Sequence, residues 1–168
     1  MTHKLIGPTA VAILLFAASS AAAHVTATPS EAPAGTRVTL TLRVGHGCEG
    51  SPTTAIKVDL PVAAGWVSPQ SKDGWDQVVQ PGQGPDGRTR SVTVAWTAHA
   101  PLATPDTFVI VFDAPAAPQT LYFPVVQTCQ AGEAHWTQIP AEAAMTGLEH
   151  PAPSLTLTPA VAASADQH

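Results

Sequence analysis

Basic residues are scarce: seven lysines and arginines stand against twelve aspartates and glutamates in 168 residues. No basic stripe is available to neutralise phosphates, which argues against a nucleic-acid partner. The chain also lacks a glycine-rich phosphate loop, an internal repeat, a Ser-His-Asp arrangement, paired carboxylates at recognisable spacing and a C-x-x-C pair. Nothing in it therefore advertises a nucleotide site or a hydrolytic centre. Helical periodicity is missing as well. Prolines and glycines, 17 and 12 of them, interrupt every apolar pattern of period 3.6 before it completes three turns. Long hydrophobic runs are confined to Val11 to Ala18, which is shorter than the roughly 20 residues a membrane span needs.

That run has a different reading. Lys4 supplies a positive end, Val11 to Ala18 an apolar core, and Ala21-Ala22-Ala23 an A-x-A cleavage site, the three parts of a secretory signal. Cleavage after Ala23 is expected to leave a mature chain from His24 to His168, long enough for one domain with a sizeable core and without a further membrane span. Lys4 leaves with the signal, so six basic residues then face twelve acidic ones, a formal charge of −6. Export to the periplasm or cell envelope makes a disulfide the default for the two cysteines, Cys48 and Cys129. A thiolate metal site is the alternative, and the lack of a C-x-x-C pair favours the disulfide. In the chain-entropy model, closing so long a loop contributes about 4 to 5 kcal/mol.

Strand patterns fill the mature sequence. In "TRVTLTLRV" (36–44) Val38, Leu40, Leu42 and Val44 alternate with Arg37, Thr39, Thr41 and Arg43. The runs 53–61 and 90–98 alternate similarly, and "DTFVIVFDA" (106–114) is apolar enough to predict a central strand buried on both faces. Further strands are expected at 120–129, 135–139 and 154–158. The turn-rich "QPGQGPDGR" (80–88) separates two strands, residues 140–150 form a short helix or a loop, and the chain after Pro159 is expected to be a disordered tail. The count of short strands predicts a single all-β domain, an antiparallel β-sandwich, over residues 24–158.

The proposed cleavage makes His24 the first residue, with a free α-amine. Amine and Nδ1 of one histidine close a six-membered chelate ring, and among divalent first-row metals such nitrogen donors favour Cu²⁺. A cleavage site can also expose a histidine by chance. The stretches "HVTATPSEAPAGTRVTLTLRV" and "HGCEGSPTTAIKVDLP", the Gly74-Trp75 pair, and "YFPVVQTCQAGEAHWTQIP" followed by "PAPSLTL" resemble, in order, the YcnI-like copper-binding domain family of bacterial envelope proteins. The resemblance runs from His24 to about Leu157.

This resemblance implies an immunoglobulin-like β-sandwich that binds Cu²⁺ through a mono-histidine brace, with a carboxylate ligand and a tryptophan beside the metal. His24 matches the brace residue, and Trp75 is taken as the tryptophan. Where family members carry a glutamate shortly before the Gly-Trp pair, this chain has Gln70, a poor ligand. Replacements are offered by "GHGCEG" (45–50), in which His46 carries an imidazole and Glu49 a carboxylate, on a loop that Cys48 would tie to Cys129. A solvated loop tip is the plainer account of both. Asp73 is a weaker candidate. His99, His135, His150 and His168 read as surface residues, Glu31 as a strand-entry residue, and Trp66, Trp96 and Trp136 as core or rim aromatics.

Three function classes remain. The leading one is a non-enzymatic periplasmic protein that stores or delivers Cu²⁺, for which the resemblance implies copper chaperones and a membrane copper importer as partners. An oxidative copper enzyme of histidine-brace type is the second. It requires an aromatic-rich substrate surface, and the chain has one tyrosine and four tryptophans. A metal-free structural or adhesion sandwich is the third.

Overall fold

The structure, a computed structural model, describes residues 24–61, 64–83, 89–103, 105–141 and 147–160. The signal segment, residues 84–88 of the expected turn, residues 142–146 of the helix-or-loop segment and the tail beyond residue 160 lie outside them. Twelve strands follow in order: β1 (Thr26–Thr28), β2 (Glu31–Pro33), β3 (Arg37–Val44), β4 (Thr53–Leu60), β5 (Val67–Pro69), β6 (Trp75–Gln83), β7 (Thr89–Leu102), β8 (Asp106–Asp113), β9 (Thr120–Tyr122), β10 (Val125–Cys129), β11 (Glu133–Trp136) and β12 (Ser154–Thr158). No helix occurs among the described residues.

Alternation in the sequence becomes the two inner faces of a sandwich. Val38, Leu40, Leu42 and Val44 of β3 are buried while Arg37, Thr39 and Arg43 face solvent. Ile56, Val58 and Leu60 of β4 do the same in the opposing sheet. One sheet has the order β1-β3-β8-β5 and the other β11-β10-β4-β7-β6. Trp96 of β7 meets Phe108 of β8 at 5.2 Å between ring centroids, joining the two inner faces. Each fully buried side chain of this size contributes about 1.5 to 3 kcal/mol of transfer free energy, and these residues form one continuous core. All pairings within both sheets are antiparallel.

A small third sheet, β2-β12-β9, includes the parallel pair β2/β12 and buries Leu121, Leu155 and Leu157. Its presence explains where the sequence reading errs. The run 120–129 is two strands in two sheets, because Pro124 has no N–H to donate and the chain changes sheet at Phe123–Pro124. β8 is central as expected, but only Phe108, Ile110 and Phe112 are buried, with Val109 and Val111 half-buried on its outer face. β6 is a strand from Trp75 through Gln83, so residues 80–83 of the expected turn are sheet.

Candidate metal centre

His24 leads directly into β1, and its neighbour Val25 is anchored in the core at 3% exposure. With the backbone fixed by β1 pairing to β3, the half-buried imidazole stands perpendicular to the indole of Trp136, the centroids 5.8 Å apart and the planes at 86°. Trp136 ends β11 and is 6% exposed. His150 packs on the same indole at 5.0 Å and 81°. Trp136 is thus flanked by two histidines.

Beside this group the loop between β3 and β4 is tied down at several points. Cys48 and Cys129 form a disulfide with a Cα–Cα distance of 6.0 Å. Ser51 N–H donates to the Cys48 carbonyl at 2.7 Å, closing a tight turn in which Glu49 has φ +47° and Gly50 φ +86°. A Cβ at Gly47 would collide with the Ser51 carbonyl, so only glycine fits that position. His46 is exposed, and its Nδ1 lies 2.7 Å from the Gly47 carbonyl. A carbonyl only accepts, so this contact requires the proton on Nδ1, and in the neutral ring of that tautomer Nε2 is the acceptor. The Glu49 carboxylate is exposed on the same turn.

The remaining sequence candidates lie elsewhere. Trp75 opens β6, at the opposite edge of the five-stranded sheet from β11, and packs against Phe108 at 4.9 Å and 89°. The tryptophan that packs on the His24 ring is Trp136, which strand pairing of β11 with β10 and of β10 with β4 carries to this corner. Gln70 is exposed after β5, with its amide on the Val109 carbonyl, and Asp73 lies exposed in the turn before β6. His99 pairs with Asp76 at 3.0 Å and His135 with Glu133 at 3.4 Å, both at the surface. Glu31 is exposed in β2. His150, read from the sequence as a surface residue, is indeed exposed but covers Trp136. The signal for Trp136 was the disulfide itself: a tryptophan seven positions after Cys129 belongs near the loop that holds Cys48.

Among the described residues no three His, Cys, Asp or Glu side chains are grouped closely enough to hold a metal. Among the described residues, no helix is long and apolar enough to cross a membrane.

Immunoglobulin-like sandwiches serve many purposes, so the fold defines a class and the comparisons narrow it. The family model described as Domain of unknown function (DUF1775) matches residues 24–157. The chain belongs to this family, which is the YcnI-like family. An uncharacterized protein from Nocardia farcinica, whose crystal structure reveals an immunoglobulin-like fold, is 33% identical over 82% of this chain and 99% of its own, with a TM-score of 0.65. A non-cellulosomal cohesin from the hyperthermophilic archaeon Archaeoglobus fulgidus is 10% identical over 80% of this chain and 90% of its own; its TM-score of 0.44 is too low to bear on the fold. No curated protein matches the chain.

Proposed function

We propose that this is an exported Cu²⁺-binding protein that stores or delivers copper through the amine and imidazole of His24, freed by removal of residues 1–23. One observation carries the reading: the family match begins at His24, the residue next to the A-x-A site, and its imidazole is held against Trp136 rather than left free. The amine and Nδ1 of His24 would hold the metal with two nitrogen donors, a ligand type that favours Cu²⁺ among divalent first-row metals. Trp136 walls one side and limits access of water and reductants. A further donor would come from Glu49 or His46 on the disulfide-tethered loop. The disulfide is consistent with an oxidising compartment such as the periplasm. The protein acts as a carrier rather than a catalyst, exchanging copper with a periplasmic chaperone and a membrane importer.

Electron paramagnetic resonance of the Cu²⁺-loaded protein, processed to His24 and free of N-terminal additions, tests this. The expected spectrum is tetragonal, with two or three coordinated nitrogens. A spectrum of aqueous Cu²⁺ at equimolar metal would refute the proposal.

A further inference from the structure

Gln127 is a neutral amide at 1% exposure, in the row of β10 that otherwise buries Val125 and Cys129. A buried amide is unfavourable unless its donors and acceptor are matched. Here they are. The Trp136 indole N–H donates to Gln127 Oε1 at 3.2 Å, and Gln127 Nε2 donates to the His46 carbonyl at 2.7 Å and to Thr53 Oγ1 at 2.8 Å. The amide orientation is dictated by its partners, since an indole N–H only donates and a carbonyl only accepts. Register places Gln127 opposite Ala134, so Trp136 is its diagonal neighbour across the strand pair.

From this geometry we propose that Gln127 is a positioning residue that fixes the Trp136 indole and the 45–50 loop to each other, so that both are presented to His24 as one rigid unit. The proposal rests on the copper reading above for its function, but the linkage is a property of the copper-free protein. One hydrogen bond holds the wall of the site, and another holds the backbone of the loop that carries His46 and Glu49. Cys129, two positions along the same strand, holds that loop at Cys48. An apolar residue at 127 would leave the indole N–H and the His46 carbonyl buried without partners, and both would move to find them. The network therefore couples two elements that are far apart in sequence, residues 45–50 and 136.

The test compares wild type with Gln127→Met, Trp136→Phe and the double variant, all processed to His24, with Cu²⁺ alone as the probe. Gln127→Met keeps the length and removes every hydrogen bond of the amide; Trp136→Phe removes the link to Gln127 Oε1 and trims the ring that packs on His24 and His150. In copper-free protein, nuclear magnetic resonance should find the Trp136 indole proton slow to exchange in wild type and fast in Gln127→Met. Trp136→Phe should speed exchange of the loop amides of residues 45–50. Copper affinity should fall about tenfold in Gln127→Met, the equivalent of one lost hydrogen bond, with altered copper hyperfine values. The double variant should lose no more than the weaker-binding single variant, as expected of groups that act as a unit.

A folded Gln127→Met protein with wild-type affinity and spectrum would overturn the proposal. So would loop exchange unchanged in Trp136→Phe, a result that stands even if Gln127→Met does not fold. If wild type binds no copper, the copper reading fails by itself, while the exchange measurements still decide whether Gln127 joins Trp136 to the loop.

Discussion

The two edges of the five-stranded sheet each carry a tryptophan, and they are built differently. At the β6 edge Trp75 packs against Phe108, a purely aromatic contact, and beyond it Val78 and Val79 are 51% and 42% exposed. At the β11 edge Trp136 touches His24 and His150 and hydrogen-bonds the buried Gln127, in a corner cross-linked by Cys48–Cys129. The polar pair at the first edge, His99 with Asp76, lies at the surface, so its interior is explained by packing alone. The second sets a polar, fully matched group and two imidazoles where a leucine or valine would have served stability as well. The edge that uses polar chemistry in its interior is the one where function is to be sought.

The largest effect should come from removing the cross-link. Replacing both Cys48 and Cys129 with serine should lower stability by about 4 to 5 kcal/mol, read from chemical denaturation. Exchange of the β10–β11 amides should rise more than that of β6–β7. Equal increases at both edges would mean that the disulfide does not single out the His24–Trp136 corner. Next in size is the pair of tryptophan truncations. Trp136→Ala should cost about 3 to 5 kcal/mol and weaken copper binding by at least about tenfold, whereas half-buried Trp75→Ala should cost less and leave copper affinity unchanged. Copper loss confined to Trp75→Ala would reverse the assignment of the site.

A charge pair away from both edges provides a control. Arg37 Nε donates to Asp113 Oδ1 at 2.8 Å, and the guanidinium also lies 4.8 Å from the Trp66 ring centroid. That hydrogen bond holds the Asp113 carboxyl below its ordinary value and raises the Arg37 guanidinium above its own. A lowered carboxyl stabilises the fold above its unfolded value, about 3.9 for aspartate, and the gain disappears as pH falls through the lower folded value. Asp113→Asn should therefore be slightly less stable than wild type at neutral pH, with the gap closing below about pH 4, and copper affinity should not change. Smallest of all, Val79→Thr at the open edge should alter stability by no more than about 0.5 kcal/mol. Melting curves at matched pH check both.

Strands β3, β4 and β12 were legible because one face of each is buried, which writes an alternation of period two into residues such as Val38, Leu40 and Leu42, whereas β8 was legible as a continuous apolar run that concealed its half-buried outer face. Three-residue strands such as β1, β2 and β5 are too short for any periodicity to register. β6 left no alternation for a different reason: residues 76–81 are exposed on both of its faces. Pro124 was a visible sign that 120–129 would break, and the apolar residues on either side of it concealed the change of sheet. Of the candidate corner, the Cys48–Cys129 pair could be read directly. Which tryptophan packs on His24 could not, since Trp75 and Trp136 both sit in polar, strand-like surroundings and only the spatial partner of each, Phe108 or His24, distinguishes them.

The central claim is that His24 binds copper as a free N-terminal residue, and its most direct test is a Cu²⁺ titration of two proteins that differ by one residue. One begins at His24 and the other retains Ala23 before it. The amine of His24 becomes an amide in the longer protein, while Trp136, the disulfide and the 45–50 loop are untouched. The account predicts one tightly bound Cu²⁺ in the first protein and an affinity lower by at least about a hundredfold, or two factors of ten in binding constant, in the second. Equal affinities in the two would contradict it.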